Sequence, residues 1–512
     1  MKHLRWAIII TLLTVLAFPA FSSAEISTSR DNKGVWFIKG DDTDSLFDVF
    51  KAMGYAVAQD RLWQMETFRR QAKGQLAAIF GSSQLEQDIF IRTTGYSDEE
   101  LTSGYNSLNQ ETKDVLDGYV AGVNKRIAEV TADLSQLPFE FHVMGKQLGM
   151  EGPLLPAGWT PEDVLAWQSV LNRNFDPGAY KRGQLDNAAL IQYLTTVFGG
   201  PTGQQMFEDL RWTNDPDAQT YIPKQSQAAS AKASGQRVKS SPAGAMAIGA
   251  ANLRMPAYDL QKLAEKMKQR MQRQRNSLEE INALVEMGSY AWVVSGDKTA
   301  SGRPIIYSGP QMGFSVPAIV QEGAIEAAGF EISGMAIPGL PGIVIGRTPH
   351  HAWSMQVGHA HTTDYYFETP ADVSLDRMET IAVAGGDDVT IPVYRSDHGP
   401  VVNPLPYNPQ AYDPDADGPI VAWRYSHWGK EFKNLTAFLE LARAESMDAF
   451  GEAIRDVSVS QHFCYADNEG NIAYWMSGMD PVRPGGPDYR FPQGMGGAPQ
   501  AEWGRRVKAP FH

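Results

Sequence analysis

Apolar residues recur at three- and four-residue spacing over residues 54–81, where Tyr55, Ala58, Leu62, Met65, Phe68 and Arg69 fall on one stripe. That spacing predicts one long amphipathic helix with the stripe turned to the core, and residues 34–223 are mainly of this texture. Trp159-Thr160-Pro161-Glu162-Asp163 gives an explicit helix start. Thr160 can cap, Pro161 takes the first helical position where its missing N–H costs nothing, and two acids face the positive helix end. After Met287-Gly288-Ser289 the pattern changes to short β-branched runs at 291–295, 304–307 and 342–346, parted by Gly, Pro and Asp-Lys turns. Helix returns over 436–457, and 463–474 reads as a hairpin turning at Asp467-Asn468-Glu469-Gly470. A helical first half and a β-rich second half make the fold class α+β.

Between the halves, residues 224–249 have the Ala, Ser, Gly, Gln and Lys composition of a linker and run into a helical segment rich in Lys, Arg and Met at 259–284. The window 224–288 holds 11 basic and 5 acidic residues inside a chain of net charge −14. Three readings fit it: a solvated face, a calmodulin-like or membrane-surface helix, or a spacer that is excised. At the other end, Lys2 and Arg5 precede an apolar run at 6–21, and Ser22-Ser23-Ala24 supplies small residues for cleavage. Residues 1–24 therefore read as a signal peptide and the product as periplasmic or secreted, with an uncleaved N-terminal anchor as the alternative. No later segment approaches ~18 uninterrupted apolar residues, so no stable membrane insertion is expected.

Composition narrows the chemistry. The 512 residues are 43% hydrophobic, enough for a large core, and the acidic balance lacks the basic face that nucleic acid requires. Cys464 is the single cysteine, which excludes an intrachain disulfide framework and Cys-ligated zinc. No phosphate-cradling glycine loop and no Gly-x-Ser-x-Gly elbow occurs. His350-His351 and His359-Ala360-His361 with Asp364 could ligate zinc in an amidohydrolase, but further ligands would have to come from the dispersed His398, His427 and His462. Ser289 stands where the linker region meets the first strand. If the chain were cut before it, Ser289 would own an α-amine with a pKa of ~7.7, able to take the hydroxyl proton directly or through one water.

The first half carries Gly54-Tyr55-Ala56-Val57-Ala58-Gln59-Asp60-Arg61-Leu62-Trp63-Gln64-Met65-Glu66, then Arg69-Arg70 and Gly74-Gln75-Leu76. The second carries Ser289-x-x-Trp292, Gly309-Pro310-Gln311, Pro338-Gly339-Leu340-Pro341-Gly342, His398-Gly399-Pro400-Val401 and Tyr465-Ala466-Asp467-x-x-Gly470-Asn471-Ile472. In this set and order the chain resembles the penicillin acylase family of N-terminal nucleophile hydrolases, from Gly34 to Arg483.

The resemblance implies a precursor that cuts itself between Gly288 and Ser289 and folds as an αββα four-layer sandwich. Residues 1–24 would be the signal, 25–223 the mostly helical α-chain region, 224–288 the spacer, and 289–512 the N-terminal part of the β chain. Such enzymes hydrolyse a side-chain amide of penicillins, or the amide of acyl-homoserine lactones, through an acyl-enzyme. Ser289 would be nucleophile and, through its own amine, base, with Gln311 positioning that amine. Val357 aligns with the backbone oxyanion donor, and His462 falls where the family has an asparagine donor. Arg483 matches the arginine that steadies this asparagine. The acyl pocket maps onto Phe175, Met312, Ile345 and Met355, two flexible thioethers among them, which favours medium-chain or mixed acyl groups.

The family's calcium positions fall on Gln184, His361 and Asp364. Two of the three have lost their carboxylate, so no tight calcium binding, and no other cofactor, is expected. Family β chains continue well past the point equivalent to Glu502-Trp503, so roughly half of a β chain is expected to be absent here. The partners implied are a small N-acyl amide and the two chains cut from one precursor. An inactive relative, suggested by His462 and the length, and a zinc amidohydrolase are the rival readings.

Overall fold

Polar Asp41-Asp42-Thr43-Asp44 gives way to Ser45, whose hydroxyl accepts from the Asp48 amide at 3.1 Å and starts helix α1, Leu46–Lys73. The computed structural model describes residues 26–175, 183–211, 258–285, 288–403, 412–413, 418–483 and 488–495, and the backbone of 506–508. The helix expected at 54–81 thus begins eight residues earlier. It also ends sooner, because Gly74 adopts left-handed φ 59° and its N–H turns back onto the Arg70 and Gln71 carbonyls. Short α2 (Ala77–Phe80), α3 (Leu85–Thr94) and α4 (Asp98–Asn106) follow, then α5 (Gln110–Ala132), α6 (Phe139–Gln147) and α7 (Pro161–Asn174). The Thr160 start holds: Thr160 Oγ1 accepts from Asp163 N and Asp163 Oδ2 from Thr160 N, a reciprocal capping box with Pro161 behind it. α1 and α5 touch backbone to backbone, since a Cβ at Gly54 or Gly122 would collide with the Tyr119 or Lys51 carbonyl.

The first half is not purely helical. Two strands, β1 (Ser27–Arg30) and β2 (Trp36–Lys39), precede α1, and the alternation Trp36 in, Phe37 half out, Ile38 in, Lys39 out is a period-two signal. β2 pairs in parallel with β5 (Gln321–Ala327), so both halves of the sequence build one sheet. After β3 (Ser289–Val294) and β4 (Ile305–Pro310), that sheet continues through β6 (Phe330–Ala336), β7 (Ile345–Arg347) and β8 (His351–Val357). The run expected at 342–346 forms a strand only from Ile345. Next come β9 (Thr363–Glu368), β10 (Ser374–Ile381), β11 (Val389–Ser396), β12 (Gly399–Pro400), β13 (Ile420–Tyr425), β14 (Gln461–Asp467) and β15 (Ile472–Met476). Among the described residues the large sheet has the order β1-β2-β5-β6-β7-β8-β14-β15. β14 and β15 are the expected hairpin, turning through Asp467–Gly470 with Asp467 Oδ1 accepting from the Glu469 and Asn471 amides. The hairpin β3–β4 lies against β8 and β14.

Helices α8 (Gly183–Phe198), α9 (Gly200–Leu210) and α10 (Leu260–Glu280) share a second core with β9 and β13, built on Leu185, Ile191, Leu263, Tyr365 and Trp423. α10 is the basic segment read as a solvated, partner-binding or excised helix; its apolar side is turned inward on Leu260, Leu263 and Leu278, and Arg270 donates to the Val402 carbonyl at 2.9 Å. The helix expected at 436–457 is two, α11 (Asn434–Arg443) and α12 (Met447–Ile454), because Ser446 caps a new start by accepting from Ala449 N. The main core joins α1, α5 and α7 to the large sheet and to α11 and α12. Helices and sheets are thus mixed, as α+β requires. The expected signal at 1–24 and the spacer residues 224–257 and 286–287 lie outside the described residues. No described helix is long and apolar enough to cross a membrane.

His351 opens β8 at 3% exposure, stacked on Tyr465 and meeting Phe450 edge-on. Burial above all pushes its imidazole down to about 4. An unfolded histidine titrates near ~6.5, so the unfolded chain binds the proton first as pH falls. Its neutral-state stabilisation is complete above about pH 6.5 and is lost toward about pH 4, an effect of about 3 kcal/mol. Denaturant titrations at several pH values should show wild type losing this much relative to His351→Phe across that window. Parallel pH profiles for the two proteins would contradict it.

Candidate active site

Ser289 is the first residue of β3 and pairs with Pro310 at the end of β4. Its Oγ lies 2.6 Å from the carbonyl oxygen of Gly288, within the peptide that joins the two. The same carbonyl accepts from the Gln311 backbone N–H at 2.5 Å. Gly288 is pressed against Gln311, where an added Cβ would stand 2.9 Å from the Gln311 carbonyl oxygen and 3.2 Å from its Cβ. The Gly288 carbonyl oxygen thus accepts two hydrogen bonds, one from a hydroxyl and one from a backbone N–H.

A cavity of about 100 Å³ opens beside Ser289. Phe175, Met312, Ile345, Met355 and Val357 all line it, so five residues named from sequence meet the nucleophile candidate in one space. Its lining is mainly apolar and includes Phe50 of α1 and Leu435, Phe438 and Leu439 of α11. Val357 is set by the sheet. Gly358 N donates to the Ser460 carbonyl at 3.0 Å, while β7 pairs with β8 only at Ala352 and Trp353. Successive residues of a strand direct their N–H groups to opposite edges, so the Val357 N–H is turned to the edge that β7 has left.

His462 lies one residue beyond, directly across from Gln356 in the β8–β14 pair. Directly opposed residues share a face. Gln356 Nε2 reaches the Ala291 carbonyl at 3.4 Å, so this face of the sheet looks onto β3. His462 Nδ1 is hydrogen-bonded to the Tyr474 hydroxyl, and the His359 ring lies 6.3 Å away. Burial first, and then His359, hold the His462 imidazole below the ordinary histidine range.

Sequence reasoning missed Gln461, whose Nε2 donates to the Phe175 carbonyl at 2.7 Å and ties the end of α7 to the strand carrying His462. Its only signal was adjacency to His462. Tyr474 carries in the sequence only the signal of a hairpin end. Arg483 Nε donates to Asp364 Oδ2 at 2.8 Å and a terminal nitrogen to the His361 carbonyl at 2.7 Å.

The same bonds involve the residues at the calcium positions. Asp364 is fully buried, and its Oδ1 accepts from Gln184 Nε2 at 2.7 Å and faces His361 Nε2 at 3.3 Å. The Gln184 oxygen is itself taken by the Tyr365 amide at 2.7 Å. A hard cation needs several free oxygens and would here have to displace a guanidinium. These residues do not fit calcium. The histidine motif also separates: His351 stacks on Tyr465, His361 lies on Asp364, and His398 is bonded to Glu368 at 2.6 Å. Among the described residues no three His, Cys, Asp or Glu side chains gather so as to hold a metal ion.

The family model for penicillin amidase matches residues 25–511. This chain belongs to the penicillin amidase family. Penicillin G acylase of Escherichia coli is 28% identical over 505 residues, covering 92% of this chain and 55% of the relative. Penicillin acylase 2 proenzyme of Pseudomonas sp. (strain SE83) is 25% identical over 92% of this chain and 54% of its own length. An acyl-homoserine lactone acylase, QuiP of Pseudomonas syringae pv. tomato, is 24% identical over 91% and 51%. The chain thus spans about half the length of these relatives.

Proposed function

We propose that this chain is a self-processing amide hydrolase that removes an acyl group from a penicillin-like or related N-acyl substrate through an acyl-enzyme on Ser289. The observation that carries the reading is the shared cavity of Ser289, Val357 and the acyl-pocket residues Phe175, Met312, Ile345 and Met355. In processing, Ser289 Oγ attacks the Gly288 carbonyl carbon while the Gln311 N–H steadies the oxygen. The hydroxyl proton passes to the Ser289 nitrogen as the C–N bond breaks, and water hydrolyses the resulting ester. The product is a free α-amine on Ser289, which serves as base for the next acyl transfer. The Val357 N–H and His462 then hold the substrate oxyanion. A proenzyme among the relatives supports the two-chain product, and the αββα sandwich is the arrangement we assign to it. Residues 1–24 support export to the periplasm or beyond.

The acyl group lies in the apolar cavity and the amine faces outward. A wall reaching from Met355 to Leu439 favours a flexible chain over a short rigid one. Acyl-homoserine lactone hydrolysis is therefore the second reading within the same chemistry. Across N-acyl amides, penicillins and acyl-homoserine lactones, kcat/KM should rise from acetyl to octanoyl; a strict preference for phenylacetyl would contradict this pocket. We also propose that activity needs no calcium, because Arg483 supplies the positive charge at Asp364. Melting temperature should be the same in calcium and in chelator, and a calcium-dependent rise would overturn that.

A further inference from the structure

We infer that Tyr474 is a positioning residue for His462, donating its hydroxyl proton to Nδ1 so that the ring N–H sits on Nε2 and faces outward as a hydrogen-bond donor. The inference rests on the proposed role of His462 as an oxyanion donor and deepens it.

An asparagine always presents two N–H donors, whereas a neutral histidine presents one, on whichever nitrogen carries the proton. With the proton on Nδ1, the outer nitrogen would offer a lone pair and repel a developing oxyanion. A histidine at this position therefore works only with its tautomer fixed, and a fixed tautomer needs a partner on the inner nitrogen.

Tyr474 occupies that place. It stands on β15 opposite Cys464, diagonal to His462 on the same face of the β14–β15 hairpin, and its hydroxyl meets Nδ1. The two rings lie nearly parallel, 24° apart with centroids at 5.5 Å, so stacking holds the imidazole in plane as well. Among the described residues Nε2 has no hydrogen-bond partner, which leaves it for a ligand. The chemistry of the pair sets the direction of donation, since a phenol gives its proton to an imidazole nitrogen more readily than an imidazole gives its own to a phenol. Burial keeps the His462 ring neutral and keeps Tyr474, raised by burial and then by Cys464, a protonated phenol.

Nitrogen NMR of the ¹⁵N-histidine-labelled, processed enzyme reads the tautomer without reference to turnover. The expected spectrum has His462 protonated on Nε2 and bare on Nδ1 in wild type, and a mixture of both forms in Tyr474→Phe. For hydrolysis of an N-octanoyl amide, Tyr474→Phe should lower kcat about tenfold with KM little changed, as loss of a ring-orienting partner does elsewhere. In a His462→Asn background, where no tautomer has to be fixed, the same tyrosine change should have no effect on kcat. A wild-type ring protonated on Nδ1, or an equal loss of kcat in the wild-type and His462→Asn backgrounds, overturns the inference while leaving Ser289 untouched. Wild-type kcat in His462→Ala would instead overturn the role of His462 itself. Should Tyr474→Phe fail to fold, the wild-type spectrum alone decides.

Discussion

Ser289→Ala should leave the chain in one piece and abolish hydrolysis, a loss on the order of 10⁶-fold in kcat if the serine is the nucleophile. Both effects follow from one atom. Oγ donates to the Gly288 carbonyl oxygen at 2.6 Å and would attack the carbon of that carbonyl, and Ser289 borders the cavity that would seat the acyl group. Alanine removes only that oxygen from a half-buried strand end, so the β3–β4 pairing and the fold should be kept. The check is a denaturing gel with an N-acyl amide assay on the same preparation. A Ser289→Ala protein that is still cut at this bond, or that hydrolyses at the wild-type rate, would sink the reading.

Glu431→Ala should cost about 3–5 kcal/mol of stability, because it strands a buried guanidinium without its counter-charge. Arg173 is 1% exposed, and its terminal nitrogens donate to Glu431 Oε1 at 2.8 Å and to the Thr94 carbonyl at 2.7 Å. Tyr96, Trp423, Tyr425 and Trp428 surround the guanidinium with ring centroids 4.8 to 5.6 Å away. These rings attract a cation, but without the carboxylate they do not replace its water. Ser169 also donates to Glu431, and Gln168, which lines the acyl cavity, donates to the Glu431 carbonyl at 2.7 Å. The loss should therefore loosen α7 and the Phe175 wall at its end. Urea unfolding measures it; a change under about 1 kcal/mol would mean that the remaining contacts hold Arg173 without the Glu431 carboxylate.

What was legible in the sequence was what local rules and short motifs carry. Ser289 was found by its place between a linker and a strand, and the cavity residues by resemblance. The Thr160 cap and the Asp467 turn were found by their own side-chain chemistry. What was not legible depends on contacts between distant segments. Trp36-Phe37-Ile38-Lys39 alternates as a strand should, yet its parallel partner β5 lies on the far side of the helical region, so the run was absorbed into the helices. Arg173 looks like a surface residue at a helix end, and the rings that bury it come from Tyr96 and from the distant stretch 423–428. Arg483 is tied to Asp364 and to the His361 carbonyl, partners that its motif Asp480-Pro481-Val482-Arg483 does not announce.

The central claim is that a covalent bond before Ser289 is broken by Ser289 itself. Its most direct test is intact mass and N-terminal sequence of the purified wild-type protein. The expected result is two polypeptides that remain together, the second beginning Ser-Tyr-Ala-Trp-Val at Ser289. A single chain that hydrolyses N-acyl amides with the Gly288–Ser289 bond intact would contradict it.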